Sequence, residues 1–169
     1  VILVSLLVDK VLFESKSTDW LTPNVIIDLV VEMLGSIDLD PCVSESDIFN
    51  IPAKMYYTEW SNGLDKKWEG KVYVNPPYGK DISKWIYKAI HEYNDGNASE
   101  IILLIPARTD TRWFQDLFKS GNFVWCAWKG RLKFSNSVNS ATFPSAIVYM
   151  GSNNVKFINV FSKYGKMFQ

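Results

Sequence analysis

The sequence predicts an α/β layered domain built on a largely parallel sheet. Short β-branched runs alternate with amphipathic stretches along the chain. Its 169 residues suit one domain with a sizeable core. Three polar motifs, Asp38–Cys42, Asn75–Tyr78 and Pro106–Asp110, fall where predicted strands end. Sheets of this kind bind their ligands at such ends.

Each element has its own local reason. Val1–Val8 is apolar but too short to span a bilayer, and it lacks the flanks of a signal peptide. It is expected as an added strand or helical turn within an N-terminal extension, residues 1–19, followed by the polar break Ser15–Asp19. Thr22 and Pro23 open a helix, with Thr as cap and Pro in the first position. Val25, Ile26, Leu29, Val30 and Met33 recur at helical spacing, and Gly35 ends the run. Ile37–Asp40 reads as a short strand. Residues 43–70 read as irregular, with Asn62-Gly63 as a turn. Lys71–Val74 is the next strand. Asp81–Tyr93 is a helix with Ile82, Trp85, Ile86 and Ala89 inward. Glu100–Ile105 is a buried β-branched strand. Asp110–Lys119 is a helix stopped by Gly121, with Trp113 and Phe114 in the core. Phe123–Trp128 and Ala146–Met150 are strands, and Phe157–Phe161 is expected to be the last one.

Composition removes several function classes. At 47% hydrophobic and 15% aromatic residues, the chain is globular and not disordered. Cys42, Cys126 and the single His91 show no metal-ligand spacing, so no zinc site is expected and the cysteines read as free thiols of a cytoplasmic protein. His91 reads as a surface helix residue, since nothing nearby in sequence would orient it. The formal net charge is zero, yet residues 1–60 carry ten acids and three bases, and residues 101–169 carry two acids and nine bases. That asymmetry suits a basic face that meets nucleic acid, or opposite charges that pair across the fold.

Asn75-Pro76-Pro77-Tyr78 is the most informative motif. Two prolines fix φ and remove two backbone donors, so the turn is stiff and its carbonyls are free acceptors. The Asn75 side chain adds an acceptor, and the Tyr78 ring adds a stacking face. Two acceptors beside a stacking face suit a planar amino group held by both protons. The motif resembles the catalytic loop of amino methyltransferases that modify adenine N6, cytosine N4 or a glutamine amide. Upstream, Asp38 and Asp40 share one face of an extended segment. Carboxylates at a strand end can accept from a ribose or an ammonium group, or can simply cap a loop.

Trp20-Leu21-Thr22-Pro23, Ile37-Asp38-Leu39-Asp40-Pro41-Cys42, Asn62-Gly63-Leu64, Trp68 and Asn75-Pro76-Pro77-Tyr78-Gly79 follow one another in this order. Together they resemble the phage-type DNA N6-adenine methyltransferases, small Dam-like enzymes of phages and prophages. Leu104–Thr111, Trp113-Phe114, Gly130–Phe134 and Phe143–Ala146 are similar to the same family.

The resemblance implies a class I S-adenosylmethionine-dependent methyltransferase (Rossmann-like) fold, three-layered around a mostly parallel sheet. It implies S-adenosylmethionine as donor and DNA as partner, in a phage or prophage protein working in a bacterial cytoplasm, with restriction-modification as one setting. Trp20, Thr22 and Pro23 match the N-terminal cofactor motif, where backbone and hydroxyl meet the methionine carboxylate. Asp40, Pro41 and Cys42 match the cofactor-binding strand end; Asp38, Asp47 and Glu59 are the candidates for the ribose. Pro-Cys-Val-Ser stands where most amino methyltransferases carry an aromatic-x-Gly-x-Gly run.

The resemblance makes Asn75, Pro76, Pro77 and Tyr78 the catalytic set. The Asn75 oxygen and the Pro76 carbonyl accept the two amino protons, and Tyr78 stacks on the base, which must leave its duplex. Arg108, Arg112, Lys129, Arg131 and Lys133 are the candidate DNA contacts. With no separate target-recognition domain, loops 43–63 and 128–145 are expected to choose a short site. The rival readings are a protein glutamine N5-methyltransferase, which shares the Asn-Pro-Pro-Tyr loop, and a catalytically silent DNA-binding module.

Overall fold

A computed structural model describes residues 20–121 and 123–169 of the chain. The readings of Val1–Val8 and Ser15–Asp19 lie outside the described residues. Within them the helices are α1 (Asn24–Leu34), α2 (Ile82–Asn94), α3 (Arg112–Lys119) and α4 (Asn154–Phe161). The strands are β1 (Ile37–Asp40), β2 (Ala53–Tyr56), β3 (Gly70–Val74), β4 (Ala98–Pro106), β5 (Val124–Trp128), β6 (Ser145–Met150) and β7 (Gly165–Phe168). Single 3-10 turns at Glu45–Asp47 and Gly63–Asp65 flank β2.

Helix α1 begins where expected but not by the expected cap. Pro23 occupies the N-cap position and its carbonyl accepts from Ile26 and Ile27. Thr22 makes no capping bond, because its hydroxyl is committed elsewhere. Gly35, at φ 79°, ends the helix by donating its N–H to the Val31 carbonyl. Two further expectations change. Phe157–Phe161 is helical and not a strand: Phe157, Val160 and Phe161 form one buried stripe, and the Asn153 side chain accepts from the Lys156 N–H at the start. Residues 43–70 are less irregular than expected, since they contain β2.

The sheet order is β2-β1-β3-β4-β6-β5-β7. Neighbours pair in parallel from β2 through β1 and β3 to β4. The β4–β6, β6–β5 and β5–β7 pairs are antiparallel. The expectation of a mostly parallel sheet is therefore corrected to a mixed sheet whose longest ladder, β4–β6, is antiparallel. The cause is topological. The crossover from β4 through α3 sets β5 one place away, and β6 returns through residues 129–144 into the gap.

Helices cover both faces of the sheet. On one face Cys126 of β5 donates its thiol to the Phe161 carbonyl of α4, and Tyr149 of β6 stacks on Phe157 at 5.3 Å. On the other, Trp125 packs edge-on against Phe114 of α3 at 5.5 Å, and Tyr87 of α2 donates to Asp116 of α3. The arrangement is consistent with an α/β methyltransferase-like fold. From β1 the chain first goes outward to β2 and then back to β3 on the other side. The C-terminal ends of β1 and β3 therefore flank a topological switch point, where a crevice forms.

Candidate active site

Asn75 follows directly on β3 and its side chain is fixed at two points. The amide NH2 donates to the Trp20 carbonyl and, at 3.1 Å, to the Thr22 hydroxyl. A backbone carbonyl can only accept, so the nitrogen must face Trp20 and the oxygen must face away. That oxygen, Oδ1, is buried and has no partner among the described residues. A buried acceptor left open is costly in a folded protein unless something comes to satisfy it. The expected acceptor role of Asn75 thus has a geometric basis. Pro76 and Pro77 line the same pocket.

Two buried carboxylates, Asp40 and Asp47, share the lining of this pocket. Asp40 ends β1 and accepts the Cys42 N–H at 3.0 Å; burial pushes its carboxyl up to about 7. Asp47 accepts the Thr22 N–H at 3.2 Å and an Asn50 side-chain N–H at 3.1 Å. Both line the pocket with Trp20, Thr22 and Cys42. Two buried acids without an ion-pair partner among the described residues can offer negative charge to a sulfonium or an α-ammonium group once they ionise. Asp47 is one of the three ribose candidates that the sequence offers.

Asp38 is not part of this lining. Its carboxylate pairs with Lys54 at 2.6 Å and accepts the Lys71 N–H at 2.9 Å, and Lys54 holds its carboxyl below the usual range. It shares a face with Asp40, as expected, but lies about 7 Å further back along the strand. Pro23 and Pro41 also stand behind the pocket: Pro23 starts α1, and the Pro41 carbonyl abuts Gly63. A Cβ on Gly63 would fall 1.9 Å from that carbonyl oxygen, so only glycine permits the approach.

Past Cys42, Val43, Ser44 and Pro77 the pocket widens into a cleft of about 580 Å³. Its far wall is the turn 58–63, stapled by the Thr58 N–H to the Ser61 hydroxyl and the Asn62 N–H to the Thr58 carbonyl. The turn carries Glu59, a ribose candidate, and Trp60, which is 84% exposed. Trp60 was missed in sequence, because one aromatic in an irregular segment has no periodicity to mark it.

Tyr78 departs from its expected stacking role. Its ring is 9% exposed and packs edge-on against Phe143 at 5.5 Å and Phe134 at 6.0 Å. Its hydroxyl donates to the Leu104 carbonyl at 3.1 Å. No ring face is open to a base. Trp20 closes the same cluster, with Phe134 at 5.1 Å and Phe143 at 5.2 Å. These aromatic contacts outcompete an exposed position because each ring buries a large apolar area.

The cluster also brings a basic loop to the site. Residues 129–144 are tied to the strand-end segment by the Ser135 N–H to the Leu21 carbonyl, the Ser135 hydroxyl to the Thr22 carbonyl and the Leu21 N–H to the Asn136 side chain. Lys129, Arg131 and Lys133 on this loop are exposed, as is Arg108 after β4, and none forms an ion pair among the described residues. Arg112 differs: it begins α3 and faces Asp116 at 3.5 Å. Among the described residues no group of His, Cys, Asp or Glu could hold a metal ion, and no helix is long and apolar enough to cross a membrane.

A family model described as DNA N-6-adenine-methyltransferase (Dam) matches residues 11–163. The chain belongs to the Dam family. The match spans both the pocket around Asn75 and the basic loop, so the site described above falls inside the shared domain. Family membership makes DNA the expected substrate of a methyltransferase. No curated protein matches the chain.

Proposed function

We propose that this Dam-family chain transfers a methyl group from S-adenosylmethionine to N6 of adenine in DNA, within a class I methyltransferase domain, as part of a phage or prophage. The observation that carries the reading is the open, buried Oδ1 of Asn75, aimed by an amide locked onto Trp20 and Thr22.

S-adenosylmethionine, when bound, supplies a methyl group activated on a sulfonium. Asp40 and Asp47, when ionised, would hold its cationic end, with Thr22 and Cys42 alongside. Asn75 Oδ1 accepts one proton of the adenine amino group, and the Pro76 carbonyl accepts the other. Two acceptors rotate the nitrogen lone pair out of conjugation with the ring and turn it toward the methyl. No strong base is needed beforehand, because the amine gives up its proton after attack. Catalysis by these residues is orientation plus charge placement. Arg108, Lys129, Arg131 and Lys133 neutralise phosphates around the extruded base.

The test is transfer of a labelled methyl group to unmethylated DNA, run beside Asn75→Ala. Label on adenine N6 that falls about a hundred- to a thousandfold in the variant supports the reading, on the scale of one preorganised polar contact. Cofactor binding without label on DNA would redirect the search to a glutamine amide. Absence of cofactor binding would leave a silent DNA-binding module.

A further inference from the structure

A base removed from its stack leaves a gap, and proteins that open duplexes often fill such gaps with an apolar side chain. Loop 129–144 has the form such a device needs. Its neck is closed by the Ala141 N–H to the Leu132 carbonyl at 2.7 Å, and Leu132, Phe134 and Ala141 are buried. Beyond the neck the chain reads Ser135-Asn136-Ser137-Val138-Asn139-Ser140. Five of these six residues are small and polar. The exception, Val138, sits at the apex and is 88% exposed.

The apex is not free to wander. The Ser137 N–H donates to the Phe134 carbonyl, and its hydroxyl donates to the Asn139 carbonyl at 2.6 Å. Ser135 is bonded to Leu21 and Thr22, and Thr22 in turn holds Asn75. Val138 is three residues from Ser135, within about 10 Å along an extended chain. Arg131 and Lys133, unpaired among the described residues, stand on the same loop to draw a phosphate backbone against it.

We propose that Val138 is a wedge: it enters duplex DNA and fills the space left by the extruded adenine. The proposal rests on the DNA-methyltransfer reading. Val138 is a positioning residue, and it is dispensable once the target needs no extrusion. Its exposure means that substitution leaves the core untouched.

The experiment compares methyl transfer to a circular single-stranded DNA and to its duplex form, for the wild type, Val138→Ser and Val138→Ile. Val138→Ser is expected to lose about tenfold or more on the duplex and to stay within about twofold on the single strand, with Val138→Ile close to wild type on both. Equal slowing on both forms, or an unchanged duplex rate in Val138→Ser, overturns the wedge. A wild type that labels only the single strand also overturns it. A wild type that labels neither form, while folded, removes the methyltransfer reading itself.

Discussion

Asn75 donates its side-chain N–H to the Thr22 hydroxyl at 3.1 Å, across 53 residues of sequence. The threonine therefore fixes the orientation of the asparagine amide, and under the proposed function it stands one hydrogen bond from the chemistry.

Thr22→Val keeps the shape and removes the acceptor. It also strips Tyr73 of its hydroxyl partner at 3.0 Å. Methyl transfer is expected to fall about ten- to a hundredfold through kcat, with KM for DNA unchanged. Thermal unfolding should show a loss of about 1–3 kcal/mol for the buried polar groups left unpaired. A KM effect alone would count against the aiming role.

Asp40 predicts a pH dependence whose sign follows from its burial. The folded protein binds this proton up to about 7, whereas an exposed carboxyl releases it near 3.8. Between those values the folded state holds more protons than the unfolded one, so stability from this group falls as pH rises from about 4 to about 7 and is flat above. Denaturation of the ligand-free protein across that range should show the slope, and Asp40→Asn should reduce it. Affinity for a cationic ligand such as S-adenosylmethionine should rise with pH over the same window in the wild type only.

Tyr78→Phe separates packing from base stacking. It keeps the ring against Phe134 and Phe143 and loses only the bond to Leu104. The expected outcome is a loss of about 1 kcal/mol with methyl transfer largely kept. Tyr78→Ala should cost about 3–5 kcal/mol, as aromatic truncation in a core does. A large kcat loss in Tyr78→Phe at unchanged stability would restore a direct role for this residue.

Arg131→Ala and Lys133→Ala should each lower the salt-dependence slope of DNA binding by about one unit. Arg112→Ala should change it less, since Asp116 already sits beside that guanidinium. Binding titrations at several salt concentrations decide the matter.

The first three helices were legible from a one-sided apolar stripe, as Leu29, Val30 and Met33 show on α1, and the central strands from short continuous apolar runs buried on both faces, as in β4 and β6. The edge strands were not. Met55 and Tyr56 on β2 are exposed, and β7 alternates only weakly, so burial left no stripe to read. Phe157–Phe161 was misread because a short apolar run is compatible with either period. At the site, Asn75 and Asp40 were visible through their neighbours in sequence. The place of Asp38 outside the pocket lining was not legible, since alternation gives the face of a strand but not how far along it the pocket begins. The burial of Tyr78 was not legible because its partners, Phe134 and Phe143, lie more than fifty residues away.

Ser135 bonds to the backbone of both Leu21 and Thr22. A residue of the exposed basic loop thereby helps set the threonine that holds the asparagine. Transplanting residues 129–144 whole is expected to loosen the Asn75 acceptor, because it removes the Ser135 and Asn136 bonds to Leu21 and Thr22. A graft that keeps Ser135, Asn136 and Val138 and exchanges the other exposed residues of the loop is expected to leave the Thr22–Asn75 geometry intact.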